Sequence, residues 1–457
     1  MSATLPPLTR PILLATLLAT VHTGRDDSRP PGRQNGFEAR MEAMAAEALR
    51  GGVVSLVVAI DVGGELAFAR GWGSPELGDG ARPDGDTSLE AGPLLGCFLT
   101  VEALGLADSG RLDLAAPVVE ILPELATGAP GVLVDHLLTH TSGLSDYGDC
   151  LRARGHAGRL EADPVLGWLA QGQLESAPGT CARVSATDDL LLGLVIERRT
   201  ETGVQERLAR LFERAGMLDT GWCVGVARPP ILEVEQEFAG GLETLGDRSL
   251  PFGGEDLCTT ALDLLRFERA LVDGRLLERS GRERLATATR LLDGTELAWG
   301  RGLSLTRLDD VPRQSCGGGI AGERLQLAYY PTFDVTLVVA AQGSTPPVNA
   351  LGARIARAFL DLEEPAVLDL PLDPASVERH VGDYYADCLG MSVLEEDAHL
   401  VLRSPNGLRR VLLFQGGESF VVRDDPDVRL TFELAGERVV AFVLREHGVR
   451  QRAVRMY

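Results

Sequence analysis

Apolar positions recur at two periods along this chain, and the change of period divides it. From Phe37 to Leu49 they fall at helical spacing, and Gly51-Gly52 lead into Val53-Val54-Ser55-Leu56-Val57-Val58-Ala59-Ile60, a β-branched run suited to a buried strand. Gly63-Gly64 turns that run back into Glu65 to Gly71, a hairpin signal. Helical spacing returns at Leu94 to Ser109, stopped by Gly110, then at Thr187 or Asp188 to Thr200, and at Thr260 to Val272. Two strands, Arg324 to Tyr330 and Val335 to Ala341, flank a Pro331-Thr332-Phe333-Asp334 turn, and a helix from Asn349 to Leu360 follows. Strands at both ends with helices between them predict an α+β domain whose sheet is completed by its first and last elements.

After Glu363-Glu364-Pro365 the period drops to two. The runs Met391 to Leu394, His399 to Arg403, Arg410 to Phe414, Ser419 to Arg423, Val428 to Leu434 and Arg438 to Leu444 predict a second domain over 366–457, a small antiparallel barrel or meander. At the other end, Pro11 to Val21 is an apolar stretch too short to span a bilayer, and Gly24 to Asn35 is a polar linker. Residues 1–36 are therefore read as a signal peptide or disordered tail with its linker, and 37–362 as the first folded domain. Export to the periplasm or cell envelope is expected if residues 1–22 act as a signal peptide, and a cytoplasmic location otherwise. No later segment reads as a transmembrane helix.

Composition narrows the function. With 45% hydrophobic and 24% charged residues over 457 positions, the chain is globular and long enough for two domains. Aromatics at 5% argue against ring platforms for single strands or sugars, and a net charge of -22 repels polyanions, so nucleic acid is not an expected partner. All 44 basic residues are arginine, which rules out a lysine base, a Schiff-base lysine and a phosphate-loop lysine. Seven cysteines show no CxxC spacing, so neither a metal site nor any cofactor is expected. Cys150 and Cys181 flank one segment and are candidates for pairing in an oxidising compartment.

Several segments carry a resemblance, in order. Gly110-Arg111-Leu112-Asp113-Leu114 with Ile121-Leu122-Pro123-Glu124 comes first, followed by His136-Leu137-Leu138-Thr139-His140-Thr141-Ser142-Gly143-Leu144. Pro178-Gly179-Thr180, Leu191-Leu192-Gly193, Gly216-Met217 and Gly253-Gly254 ahead of Thr259-Thr260 continue it. Together they resemble class C β-lactamases, D-Ala-D-Ala carboxypeptidases and related esterases. The resemblance implies a β-lactamase/transpeptidase-like fold, an antiparallel sheet flanked by helices plus a helical subdomain, with a lipocalin-like β domain appended. It also implies three catalytic motifs, and the matching positions here lack them. The Ser-x-x-Lys pair of the family falls on Pro93 and Gly96, the Tyr-x-Asn on Val184-Ser185-Ala186, and the Lys-Thr-Gly or His-x-Gly on Cys316-Gly317-Gly318. Proline also lacks the backbone N–H that the family uses as an oxyanion donor. The resulting expectation is a catalytically inactive relative that binds a peptide, a peptidoglycan fragment or a protein. The alternative is a hydrolase of ester or amide bonds with a non-standard nucleophile, Cys316.

Bland roles suit the remaining candidates. His140 and Ser142 sit in a loop that is structural in the resembling family, and Asp188 and Asp189 suit a helix start, where carboxylates complement the dipole. Cys97 is expected in the core. Tyr147 and Ser185 are retained, with Cys316, Gly317 and Gly318, as candidates for the cleft.

Overall fold

In a computed structural model of the chain the described residues are 36–73, 82–147, 162–222, 237–238, 241–242, 252, 257–320, 323–343, 348–386, 389–404, 408–446 and 449–456. The apolar stretch at 11–21, Cys150 and Gly253-Gly254 lie outside them.

The early apolar run forms β1 (Val53–Val62), paired with the hairpin strand β2 (Glu65–Gly73). Short strands β3 (Leu89–Glu90), β4 (Gly221–Trp222) and β7 (Leu257–Thr259) make a small sheet, and β5 (Glu237–Phe238) pairs with β6 (Gly241–Leu242). Strands β8 (Ser304–Leu308), β9 (Val311–Ile320), β10 (Glu323–Tyr330) and β11 (Val335–Gly343) complete the main sheet in the order β2-β1-β11-β10-β9-β8. The last strand, β11, thus lies against the first, β1, as the sequence predicts.

β1 reads as a continuous apolar run because both its faces are covered. Leu56, Val58 and Ile60 pack with the helices α1 (Phe37–Arg50) and, at the end of this domain, Val348–Leu360; Val57 and Ala59 join the larger core on the opposite face. That larger core is helical. It takes in α2 (Leu95–Asp108), α3 (Val134–Leu138), α4 (Ala162–Leu169), α5 (Ala186–Thr200), α6 (Val204–Ala215), α7 (Ala261–Val272) and α8 (Arg279–Leu285). The helix Val348–Leu360 is α9. The expected α+β class therefore holds.

The C-terminal domain is a closed antiparallel barrel of eight strands: β12 (Gly382–Ala386), β13 (Leu389–Glu396), β14 (His399–Arg403), β15 (Arg409–Gly416), β16 (Ser419–Val422), β17 (Asp425–Ala435), β18 (Arg438–Glu446) and β19 (Val449–Arg455). Tyr384, Phe420, Phe432 and Phe442 form its core, meeting largely edge to face, as aromatic quadrupoles prefer. The helix α10 (Pro374–His380), capped by Asp373, packs against it. The barrel is tied to the first domain by Arg357 on α9, whose guanidinium donates to both Asp427 oxygens at 2.8 and 2.7 Å. Among the described residues no helix is long and apolar enough to cross a membrane.

Candidate functional site

The site is built around the head of α2. A 3-10 turn, Gly92–Leu94, precedes the helix and contains Pro93, where proline's fixed φ and missing N–H cost nothing. The approach to this turn is pinned on two sides: the Ala91 N–H donates to the Leu257 carbonyl at 2.8 Å, and the Glu90 N–H donates to a Glu323 carboxylate oxygen at 2.9 Å. The helix therefore starts at a fixed point against β7 and β10.

Gly96 lies one turn further on. A Cβ there would stand 2.7 Å from Oδ1 of Asp189, so the carboxylate of a neighbouring helix fills the volume that a side chain at 96 would need. Asp189 stands in the first turn of α5, next to Asp188, and burial pushes its carboxyl up to about 6, with the nearby Asp188 and Asp146 charges adding to the shift and His140 opposing it. Its side chain has no hydrogen-bond partner among the described residues.

On the sheet side, Cys316 sits on β9 opposite Leu327 and is 8% exposed. Its thiol meets that of Cys97, the residue after Gly96, whose Sγ also donates to the Gly302 carbonyl at 3.2 Å. The contact with Cys316, together with burial and the charges of Asp189 and Glu268, holds the Cys97 thiol well above its usual range. Glu268 on α7 is itself pushed up to about 7 by burial. Beyond Cys316 the strand opens: Gly317 and Gly318 are exposed. Gly317 must be glycine, since a Cβ would lie 2.2 Å from the Leu325 carbonyl.

The position that the resemblance matches to the Tyr-x-Asn element is on the surface. Val184 is 67% exposed, while Ser185 is 3% exposed and caps α5 by accepting from the Thr187 N–H at 3.2 Å. Ser185 and Tyr147, both read as cleft residues, are thus buried. Tyr147 is 5% exposed within the large core, its N–H bound to Thr187 Oγ1 at 2.9 Å.

His140, Ser142 and Asp188 come together in a way that looks catalytic and is wired otherwise. Asp188 is the hub: Ser142 Oγ donates to its Oδ1 at 2.5 Å, and His140 Nδ1 lies 3.2 Å from its Oδ2. A triad needs the imidazole between hydroxyl and carboxylate; here the carboxylate is in the middle and accepts the hydroxyl's hydrogen bond directly, so the imidazole does not contact the serine. All three are at most 7% exposed. Burial alone would lower His140, but the Asp188 hydrogen bond and the surrounding carboxylates leave it raised.

Cys181 and Cys258 each take part in a disulfide, whereas Cys97 and Cys316 are free thiols. Among the described residues no cluster of three His, Cys, Asp or Glu side chains could hold a metal. Sequence reasoning missed the Asp189–Gly96 and Cys97–Cys316 contacts. Each joins separate elements, and no spacing within the chain signals them.

A family model for Beta-lactamase matches residues 35–361. The chain belongs to that family. It is 31% identical to Esterase EstB of Burkholderia gladioli over 40% of this chain and 51% of the esterase. It is 24% identical to penicillin-binding protein 4 of Amycolatopsis lactamdurans over 67% of this chain and 88% of that protein. The chain spans about half the length of the first of these and of a Bacillus subtilis penicillin-binding protein, which it matches over 56% of its length. Among solved structures, the octameric penicillin-binding protein homologue from Pyrococcus abyssi superposes with a TM-score of 0.62 at 16% identity, covering 91% of this chain and 99% of that one. The fold, with its appended barrel, is therefore that of the β-lactamase and penicillin-binding protein relatives.

Proposed function

We propose that this Beta-lactamase family member binds a peptide-like ligand, such as a peptidoglycan fragment or a protein segment, at the head of α2 without turning it over. The observation that carries this reading is Pro93 in the turn that opens α2, a residue with neither a hydroxyl to attack nor an N–H to hold an oxyanion. The filling of the Gly96 side by Asp189 supports it, because a base at 96 is replaced by an acid. Gly317, Gly318 and Val184 are exposed and so accessible to a ligand. The barrel is the weaker candidate, its interior being packed with aromatic side chains. The disulfide-bonded cysteines favour an oxidising compartment and so export.

The second reading is hydrolysis of an ester or amide with Cys316 as nucleophile, and the relatives favour it, the 31% identity to an esterase most of all. Against it stands the setting of the thiol: Cys316 is 8% exposed and lies against the Cys97 thiol, which is itself held well above its usual range. Purified protein and its Cys316→Ala variant, each given a chromogenic cephalosporin and a short-chain p-nitrophenyl ester, separate the two. Absence of turnover with binding of muropeptides retained in the variant supports the first; turnover that disappears in the variant overturns it.

A further inference from the structure

On the far side of the sheet from the candidate site, a second polar cluster is buried where β9, β10, α9 and the barrel meet. Arg313 on β9 is only 3% exposed. Its Nε donates to Thr306 Oγ1 at 2.9 Å, but its Nη1 has no hydrogen-bond partner, and no carboxylate among the described residues forms an ion pair with it. The β9–β10 register pairs Gln314 with Tyr329, which sets Arg313 across from Tyr330 one step further along. Tyr330 is 1% exposed, and its hydroxyl makes no hydrogen bond of ordinary geometry, although the Arg313 guanidinium lies close enough to act on it. Burial pushes this phenol above its usual range, so it stays protonated and able to donate.

Charge makes the two orphan donors more than a packing flaw. Arg357, 1% exposed, reaches the same layer from α9 and is bound by Asp427, 15% exposed, and by Asp309, which at 56% exposed is screened by solvent. Both carboxylates of the cluster are thus engaged by Arg357, and the buried Arg313 guanidinium has no ion-pair partner of its own among the described residues. A buried charge left alone costs several kcal/mol, whereas a counter-ion with no directional demands removes the cost. A water molecule would satisfy the hydrogen bonds and leave the charge.

We propose that Arg313 Nη1 and Tyr330 Oη hold a monovalent inorganic anion of the halide class, bound at the junction between the first domain and the barrel. One free N–H and one O–H suit a monoatomic ion. Its charge balances the second guanidinium, and its binding favours the docked arrangement in which Arg357 reaches Asp427.

The test uses the full chain. Thermal unfolding is followed in sodium chloride and sodium bromide against sodium gluconate at equal ionic strength, and crystals grown in bromide are searched for anomalous scattering. A midpoint that rises with halide, and a bromide peak at hydrogen-bonding distance from both donors, is the expected result. Arg313→Met should abolish the halide dependence. Tyr330→Phe, which removes only the hydroxyl and guards against misfolding of the arginine variant, should weaken the apparent halide affinity about five- to tenfold. Equal midpoints in halide and gluconate, or a halide-insensitive water at the position, overturns the proposal.

Discussion

Two neighbouring stretches of the helical core have fared differently. The loop 139–147 and the start of α5 are fully wired: Asp188 binds His140 and Ser142, Thr187 binds the Tyr147 N–H, and Asp146 accepts from the Ala186 N–H at 2.7 Å. Beside them, the head of α2 carries Pro93 and Gly96, and the Asp189 carboxylate fills the space next to Gly96; on the reading proposed above, these are the positions of a lost nucleophile and its base. The difference separates what a buried polar network demands from what a reaction demands. Removing one member of a network strands the others in low dielectric, so the network is kept for stability alone. A nucleophile and its base can be lost without such a penalty, because proline fits a first helical turn and a neighbouring carboxylate can fill the space.

The sharpest way to break this comparison is to remove the hub. Asp188→Ala leaves His140 and Ser142 buried without their shared partner and is expected to cost about 3–5 kcal/mol in chemical denaturation. A loss below about 1 kcal/mol would mean that the loop is held by packing instead.

Asp189 gives a smaller effect of opposite sign. Its folded carboxyl titrates at about 6 against a reference of 3.8. A raised carboxyl contributes stability that is fully present below the unfolded value and is lost as pH rises through the folded one. The native chain should therefore lose stability between about pH 4 and 7, and Asp189→Asn should remove that slope and gain about 1–2 kcal/mol above it. An unchanged pH profile in the variant would place the titration elsewhere.

The smallest expected effect is at Pro93. Pro93→Ser restores a hydroxyl and an N–H, and by freeing the unfolded chain should cost about 0.5–1 kcal/mol. It should restore no turnover of a cephalosporin or ester, alone or with Gly96→Lys, since Val184 and Cys316 still replace the other two motifs. Recovered hydrolysis would show that the rest of the site is catalytically competent.

The parts of the fold legible in the sequence were those whose own residues dictate them. β1 is rich in β-branched residues, and its flanking helices keep their period. β9 was not legible: Ser315-Cys316-Gly317-Gly318-Gly319 has no strand propensity, and the segment is extended because β8 and β10 pair with it on both sides. The first and last barrel strands, β12 and β19, escaped because their pattern has meaning only once the ring closes. Helices α4, α6 and α8 were likewise absent from the periodic reading. At the site, the three motif positions were assigned by resemblance, each from a short local run. The contact of Asp189 with Gly96 was not legible there, since Asp189 reaches it from a helix more than ninety residues away.

Closure of the barrel has a mechanical side. Its entry strand and exit strand are direct neighbours, with Tyr384 opposite Arg455 and Tyr385 opposite Val454. Because they run antiparallel, the point where the chain enters the domain and the point where it leaves stand side by side. Tension applied between those points would load the β12–β19 seam one hydrogen bond at a time, as in a zip, rather than shearing the whole ladder together. A single-molecule pulling trace should show this domain giving way at low force, ahead of the first domain, where β1 is clamped between β2 and β11.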